Sequence, residues 1–331
     1  MAILLSVVFF ALGIVILLKS ADWLVSGASS IAARFKISPM VIGLTVVAFG
    51  TSAPELVVSL TSAISGNTNL ALSNIIGSNI ANILLILGAS AILCPLIVHK
   101  NTVWKEIPMS FLGALVLFVL ALQNVIDHGS IFHIPFTGTD VVGSITRSNG
   151  LILLAFFIIF LYYTFGIAKV STDSAPDIKQ RKTWMSILLV VAGLGGLILG
   201  SKLLVDSGIN IAKAFGVSDT LIGLTLVAVG TSLPELVTSL VAASKKQVDI
   251  AVGNVVGSNI FNIFFILGLT SLVTPLPLPA SNVVDIFVLF MTTILLFVFL
   301  FIRQRHVITK AEGGLMLAAY AGYITFLIFR G

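Results

Sequence analysis

Residues 50–55 read Gly50-Thr51-Ser52-Ala53-Pro54-Glu55, and 180 positions later the chain reads Gly230-Thr231-Ser232-Leu233-Pro234-Glu235. Each stretch places a carboxylate, a proline and two hydroxyls in the middle of a long apolar run. Water would tolerate that arrangement without further support. In a bilayer each buried charge costs roughly 2.5–3.5 kcal/mol on insertion scales, so two of them call for a cation, a proton or a basic partner.

Outward from these stretches the duplication covers residues 41–88 and 221–268 without a gap. About 27 of the 48 aligned pairs are identical, among them Asn74/Asn254, Gly77-Ser78-Asn79-Ile80 and Asn82-Ile83 with their counterparts. The same offset pairs Gly13 with Gly193, Val25 with Val205 and Phe35 with Phe215. A whole half of the chain is therefore repeated.

Composition says what surrounds the repeats. Charged residues make up 9% of the 331 and hydrophobic ones 58%, with mean hydropathy +1.15; a soluble domain carries about 25% charged residues. A membrane β-barrel would show alternating strands of about ten residues, whereas these apolar runs approach helical span length and do not alternate. About ten spans fit, at 2–18, 38–64, 70–95, 103–122, 149–168, 184–204, 219–243, 248–275, 283–302 and 312–329. Residues 2–18 lack the basic flank and cleavage site of a signal peptide and read as the first span.

Five spans per half is an odd number, so the halves enter the membrane from opposite sides. The expected fold is an all-α polytopic membrane protein of ten transmembrane helices in two inverted five-helix repeats: 1–168, a cytoplasmic linker 169–183, and 184–331. Fourteen of the 18 basic residues fall on one side if both termini are outside, which sets that orientation in the cell membrane. The net charge of +5 is thus an orientation signal and no nucleic-acid footprint. Inverted repeats with broken helices around a midplane site are a transporter architecture, with a duplicated non-transporting scaffold as the bland alternative. The polar segment 123–148 suggests no function. Cys94 reads as inert packing, and the four histidines fall in predicted loops without metal-ligand spacing. No obligate protein partner, cofactor or enzyme-type nucleophile–base pair is evident.

Of the 13 acidic residues only Glu55 and Glu235 sit deep inside predicted spans, and no Lys or Arg lies at matching depth to neutralise them. Pro54 and Pro234 lack an N–H and should free carbonyls one turn earlier, near Ala48 and Ala228. With the hydroxyls of Thr51, Ser52, Thr231 and Ser232, these make a set of hard oxygen ligands suited to Ca2+, Na+ or Mg2+ and unsuited to zinc or copper. Ser78 and Asn82 share a helix face, as do Ser258 and Asn262, and read as further ligands. Asn74, Asn79, Asn254 and Asn259 read equally well as ligands or as polar bonds between helices.

Both copies resemble the α-repeats of the cation/Ca2+ exchanger superfamily, specifically the prokaryotic Na+/Ca2+ exchanger type. Residues 50–55 and 230–235, with Gly77-Ser78-Asn79-Ile80-Ala81-Asn82 and Gly257-Ser258-Asn259-Ile260-Phe261-Asn262, carry the resemblance. It implies Na+/Ca2+ antiport by alternating access, with Thr51, Ser52, Glu55, Ser78 and Asn82 binding cations opposite Thr231, Ser232, Glu235, Ser258 and Asn262. Glu55 and Glu235 would share Ca2+, and the first and sixth spans would be the sliding element. Relatives that include the K+-dependent branch carry Asp where this chain has Asn262, so the resemblance implies K+ independence. A Ca2+/H+ antiporter is the alternative; the proton-coupled branch typically carries a Gly-Asn-rich acidic motif that this chain lacks.

Overall fold

The computed structural model describes residues 2–123, 141–167, 181–215 and 228–330. Most of the predicted linker 169–183, most of segment 123–148 and the first residues of the second motif, 221–227, lie outside the described residues.

The helices in chain order are α1 (Ala2–Phe35), the bent pair α2 (Pro39–Thr51) and α3 (Ala53–Ile64), α4 (Thr68–Leu93), α5 (Thr102–Ala121), α6 (Arg147–Ile167) and α7 (Thr183–Ala214). Then come α8 (Ala228–Thr231), α9 (Leu233–Ser244), α10 (Val248–Val273), α11 (Ala280–Ile302) and α12 (Lys310–Arg330). Among the described residues, eight helices are each long and apolar enough to cross a bilayer, and the bent pair makes a ninth. The seventh predicted span, 219–243, is represented by α8 and α9, which are shorter than a span as described.

Two span boundaries differ from expectation. The spans placed at 2–18 and 184–204 continue to Phe35 and Ala214. No proline or glycine pair interrupts α1 between Leu18 and Phe35, so Lys19 and Asp22 ride on the helix, where Asp22 pairs with Lys245. The break comes only at Lys36, which adopts a left-handed φ of 54° ahead of Pro39. The all-α expectation also misses two antiparallel ribbons. β1 (Leu96–Ile97) pairs with β4 (Val307–Ile308), and β2 (Val141–Ile145) with β3 (Leu276–Pro279). Strands this short leave too little alternation to be read from sequence.

Burial sorts the helices into a centre and a periphery. Along their span windows α10 is 94% buried and α4 78%, against 22% for α1 and 28% for α7. The central pair carries the repeated asparagines and serines, and α2 reaches α10 at backbone distance. A Cβ on Gly257 would meet the Leu44 carbonyl at 2.7 Å, and one on Gly253 the Met40 carbonyl at 2.9 Å. Gly77, the counterpart of Gly257, meets nothing within 4 Å among the described residues. The peripheral helices α1 and α7 run antiparallel in close contact: a Cβ on Gly13 would lie 2.9 Å from the Leu204 nitrogen, and one on Gly193 would lie 2.8 Å from the Leu24 nitrogen.

Candidate functional site

The site is built on two helix breaks of the same form. Pro54 and Pro234 fall in the first turns of α3 and α9, where a missing N–H is tolerated. The preceding serines leave helical geometry almost identically, Ser52 at φ −81°, ψ 5° and Ser232 at φ −87°, ψ 6°. The first break bends the chain by 44° between α2 and α3.

A serine in this position ordinarily caps its own helix. Neither does so here. Each hydroxyl instead crosses to the other repeat: Ser52 Oγ donates to Glu235 Oε1 at 3.0 Å, and Ser232 Oγ donates to Glu55 Oε1 at 3.2 Å. Both glutamates are buried, 1% exposed, in the first turns of their helices, where the N-terminal end of the dipole favours a negative group. Among the described residues no Lys or Arg forms an ion pair with either. Ser258 lies 2.9 Å from Ser52 Oγ and 3.5 Å from Glu235 Oε1.

The threonines cross over too. Thr51 donates to Asn254 Oδ1 at 3.0 Å and Thr231 to Asn74 Oδ1 at 3.3 Å. Each asparagine then returns its amide group to the repeat that holds it. Asn74 donates to Ser59 Oγ (2.9 Å) and the Glu55 carbonyl (3.4 Å), and Asn254 to Ser239 Oγ (3.0 Å) and the Glu235 carbonyl (3.3 Å). Asn74 and Asn254 therefore brace the broken helices, as polar bonds between helices would. Ser59 and Ser239, which complete those braces, carry no charge or motif to mark them in the sequence beyond their identity at the repeat offset.

One expectation is corrected. The Ala48 carbonyl is not free: it accepts the Ser52 N–H at 3.0 Å and lies 3.3 Å from the Thr51 hydroxyl. A proline removes the donor of the carbonyl four residues back, which is Gly50 in the first copy and Gly230 in the second. In the second copy Ser232 turns its N–H to the Val229 carbonyl at 3.1 Å, one residue past Ala228.

What remains unmatched is informative. Fifteen buried side-chain atoms have no hydrogen-bond partner among the described residues, and Glu55 Oε2, Glu235 Oε2, Ser78 Oγ, Asn82 Oδ1 and Asn262 Oδ1 are five of them. All five belong to residues read from sequence as ligands. Buried polar atoms normally find partners, and a set of two carboxylate, two amide and one hydroxyl oxygen with no nitrogen or sulfur fits a hard cation such as Ca2+ or Na+. The helices around these residues carry π-helical turns at Gly43–Val47, Asn82–Leu87 and Phe261–Leu267, a feature frequent at functional sites.

Three acidic groups outside the repeated motif are also buried: Glu106, Asp285 and Glu312. Tyr163 donates to Glu106 at 3.0 Å, Arg330 pairs with Asp285 through two contacts of 2.9 Å, and Glu312 accepts the Thr309 N–H at 2.6 Å. These are staples at helix ends, remote in the chain from the repeated motif.

Comparison with known proteins places the whole chain. The family model described as sodium/calcium exchanger protein matches residues 5–166 and 185–329. A putative antiporter, CaxA, of Alkalimonas amylolytica is 38% identical over 98% of this chain and 99% of its own length. The sodium/calcium exchanger MaX1 of Methanosarcina acetivorans is 31% identical over 96% of this chain and 97% of its own. Among solved structures, that of the sodium-calcium exchanger NCX_Mj soaked with Na+ and without Ca2+ superposes with a TM-score of 0.81 at 36% identity. It covers 98% of this chain and 99% of the other.

Proposed function

The chain belongs to the sodium/calcium exchanger protein family, and on that premise we propose that it exchanges Na+ for Ca2+ across the cell membrane, independently of K+, by alternating access to one site. The observation that carries the reading is the reciprocal pair of bonds from Ser52 to Glu235 and from Ser232 to Glu55. They bring one buried carboxylate from each repeat to a common place and leave the second oxygen of each without a partner.

Charge then drives the mechanism. Two carboxylates carry −2, which one Ca2+ or two Na+ neutralise; Asn82 and Asn262 add neutral oxygens. Because both ions need the same carboxylates, they occupy the site in turn, and that competition couples their fluxes. Glu55 and Glu235 are the charged ligands, with Ser78, Asn82, Ser258 and Asn262 from the central helices and Thr51, Ser52, Thr231 and Ser232 at the breaks. In this reading the repeats are inverted, both termini are outside, and α1 with α7 slides past the fixed centre as access changes.

Reconstitution in proteoliposomes separates the couplings. An outward Na+ gradient should drive 45Ca2+ uptake, and K+ on either side should leave the rate unchanged. Uptake driven by a pH gradient without Na+ would instead assign a Ca2+/H+ antiporter. No flux under any gradient, from a folded protein, would leave a scaffold.

A further inference from the structure

Asn82 and Asn262 occupy equivalent positions in the repeats and both present an unpartnered amide oxygen. They are held differently. Asn82 Nδ2 donates to Asn259 Oδ1 at 2.9 Å, across the repeats, and Asn259 Nδ2 donates in turn to the Asn79 backbone carbonyl at 3.5 Å. The equivalent residue on the other side, Asn79, sends its amide back to the Ile75 carbonyl of its own helix at 2.6 Å, and its own Oδ1 has no partner. Asn79 therefore gives Asn262 no acceptor to match the one that Asn259 gives Asn82.

The polarity of the Asn82 chain is fixed from its far end. A backbone carbonyl only accepts, so the Asn259 amide nitrogen must face Asn79. That turns Asn259 Oδ1 toward Asn82, and an amide oxygen also only accepts. Asn82 must therefore turn its NH2 toward Asn259 and its oxygen away. All of these side chains are buried, 0–1% exposed. Without Asn259 an asparagine can turn its amide by 180° and point an NH2 at the cation.

We propose that Asn259 is the positioning residue that locks Asn82 with its oxygen toward the transported cation, and that Asn262, without such a lock among the described residues, is the adaptable amide of the pair. The inference rests on the proposed Na+/Ca2+ exchange at this site. It adds a division of labour that the near-symmetry of the repeats conceals: one amide of fixed polarity and one free to adjust when one kind of ion replaces the other.

The test is Na+-driven 45Ca2+ uptake into proteoliposomes as a function of Ca2+ concentration, for the wild-type chain, N259A, N82D and N82D/N259A. Wild-type uptake checks the underlying function, so its absence would fail that reading and not this one. Given wild-type uptake, N259A should raise the half-saturating Ca2+ about tenfold and change the maximal rate less, the scale expected for one misdirected buried polar ligand. In the N82D background the same change should move half-saturation by less than about twofold, because a carboxylate presents an oxygen whichever way it turns. A full tenfold rise in both backgrounds would make Asn259 a structural residue and overturn the proposal, as would no rise in either. N259L, closer in volume to asparagine, carries the same comparison if N259A does not fold.

Discussion

The central helices α4 and α10 and the peripheral helices α1 and α7 both have close glycine contacts and differ in the polar bonds that accompany them. The centre is nearly closed to its surroundings and cross-linked by polar bonds between repeats: Thr51 to Asn254, Thr231 to Asn74, Asn82 to Asn259. The peripheral pair exposes much of its surface and meets along glycines, with few polar bonds across the contact. Ser186 donates to Ser30 at 2.9 Å near one end, and Lys245, beyond α9, holds Asp22 of α1 at 2.6 Å. Polar bonds buried in a bilayer fix geometry, because each broken bond leaves a costly orphan. Backbone contact at glycine holds helices close without a directional bond to break. In the proposed mechanism, ion selection belongs to the centre and motion to the periphery.

The sharpest way to break that comparison is to remove a charge from the centre. E55Q or E235Q should reduce Na+-driven 45Ca2+ uptake to the leak of empty liposomes, and measurable uptake in either would remove that residue from the site. Next comes the periphery. G193L puts a side chain 2.8 Å from the Ser20 carbonyl and the Leu24 nitrogen, an overpacking that costs typically 1–3 kcal/mol. Turnover should fall about tenfold while equilibrium 45Ca2+ binding stays within about twofold, at the scale of 1.4 kcal/mol per factor of ten. Equal losses in both would show that the periphery shapes the site.

N254A deprives Thr51 of the closer of its two acceptors and Ser239 of its donor, and should lower stability by about 1–3 kcal/mol in a detergent unfolding experiment. N74A should cost less, since its bonds to Thr231 and the Glu55 carbonyl, at 3.3 and 3.4 Å, are the weaker set. The smallest effect belongs to the exposed clasp. With side chains 51% and 32% exposed, Asp22 and Lys245 should couple by only about 0.2–1 kcal/mol in a D22N/K245M double-mutant cycle, decreasing with salt.

Much of this was legible in the residues. A glutamate after a proline, repeated at an offset of 180 inside apolar sequence, announces the membrane and marks the candidate site, because each feature is costly enough to need a reason. What stayed hidden depends on directions in space. Spacing cannot show that Ser52 reaches the other repeat's glutamate in place of its own helix, or that Asn79 and Asn259, identical in sequence context, turn to different acceptors. The Ala48 expectation failed because counting one turn back from a proline ignores which carbonyl the next free N–H takes. The helix ends failed because Lys19 and Asp22 suggested the edge of a span, whereas nothing in the backbone stops α1 before Lys36.

The central claim is that two half-motifs make one site. Equilibrium 45Ca2+ binding to the purified chain, with Na+ as competitor, tests it directly. One Na+-displaceable Ca2+ per chain, lost completely in E55Q and equally in E235Q, is the predicted result. A variant that keeps a Ca2+ site of wild-type affinity after losing either glutamate would mean that each repeat binds alone, and would contradict the account.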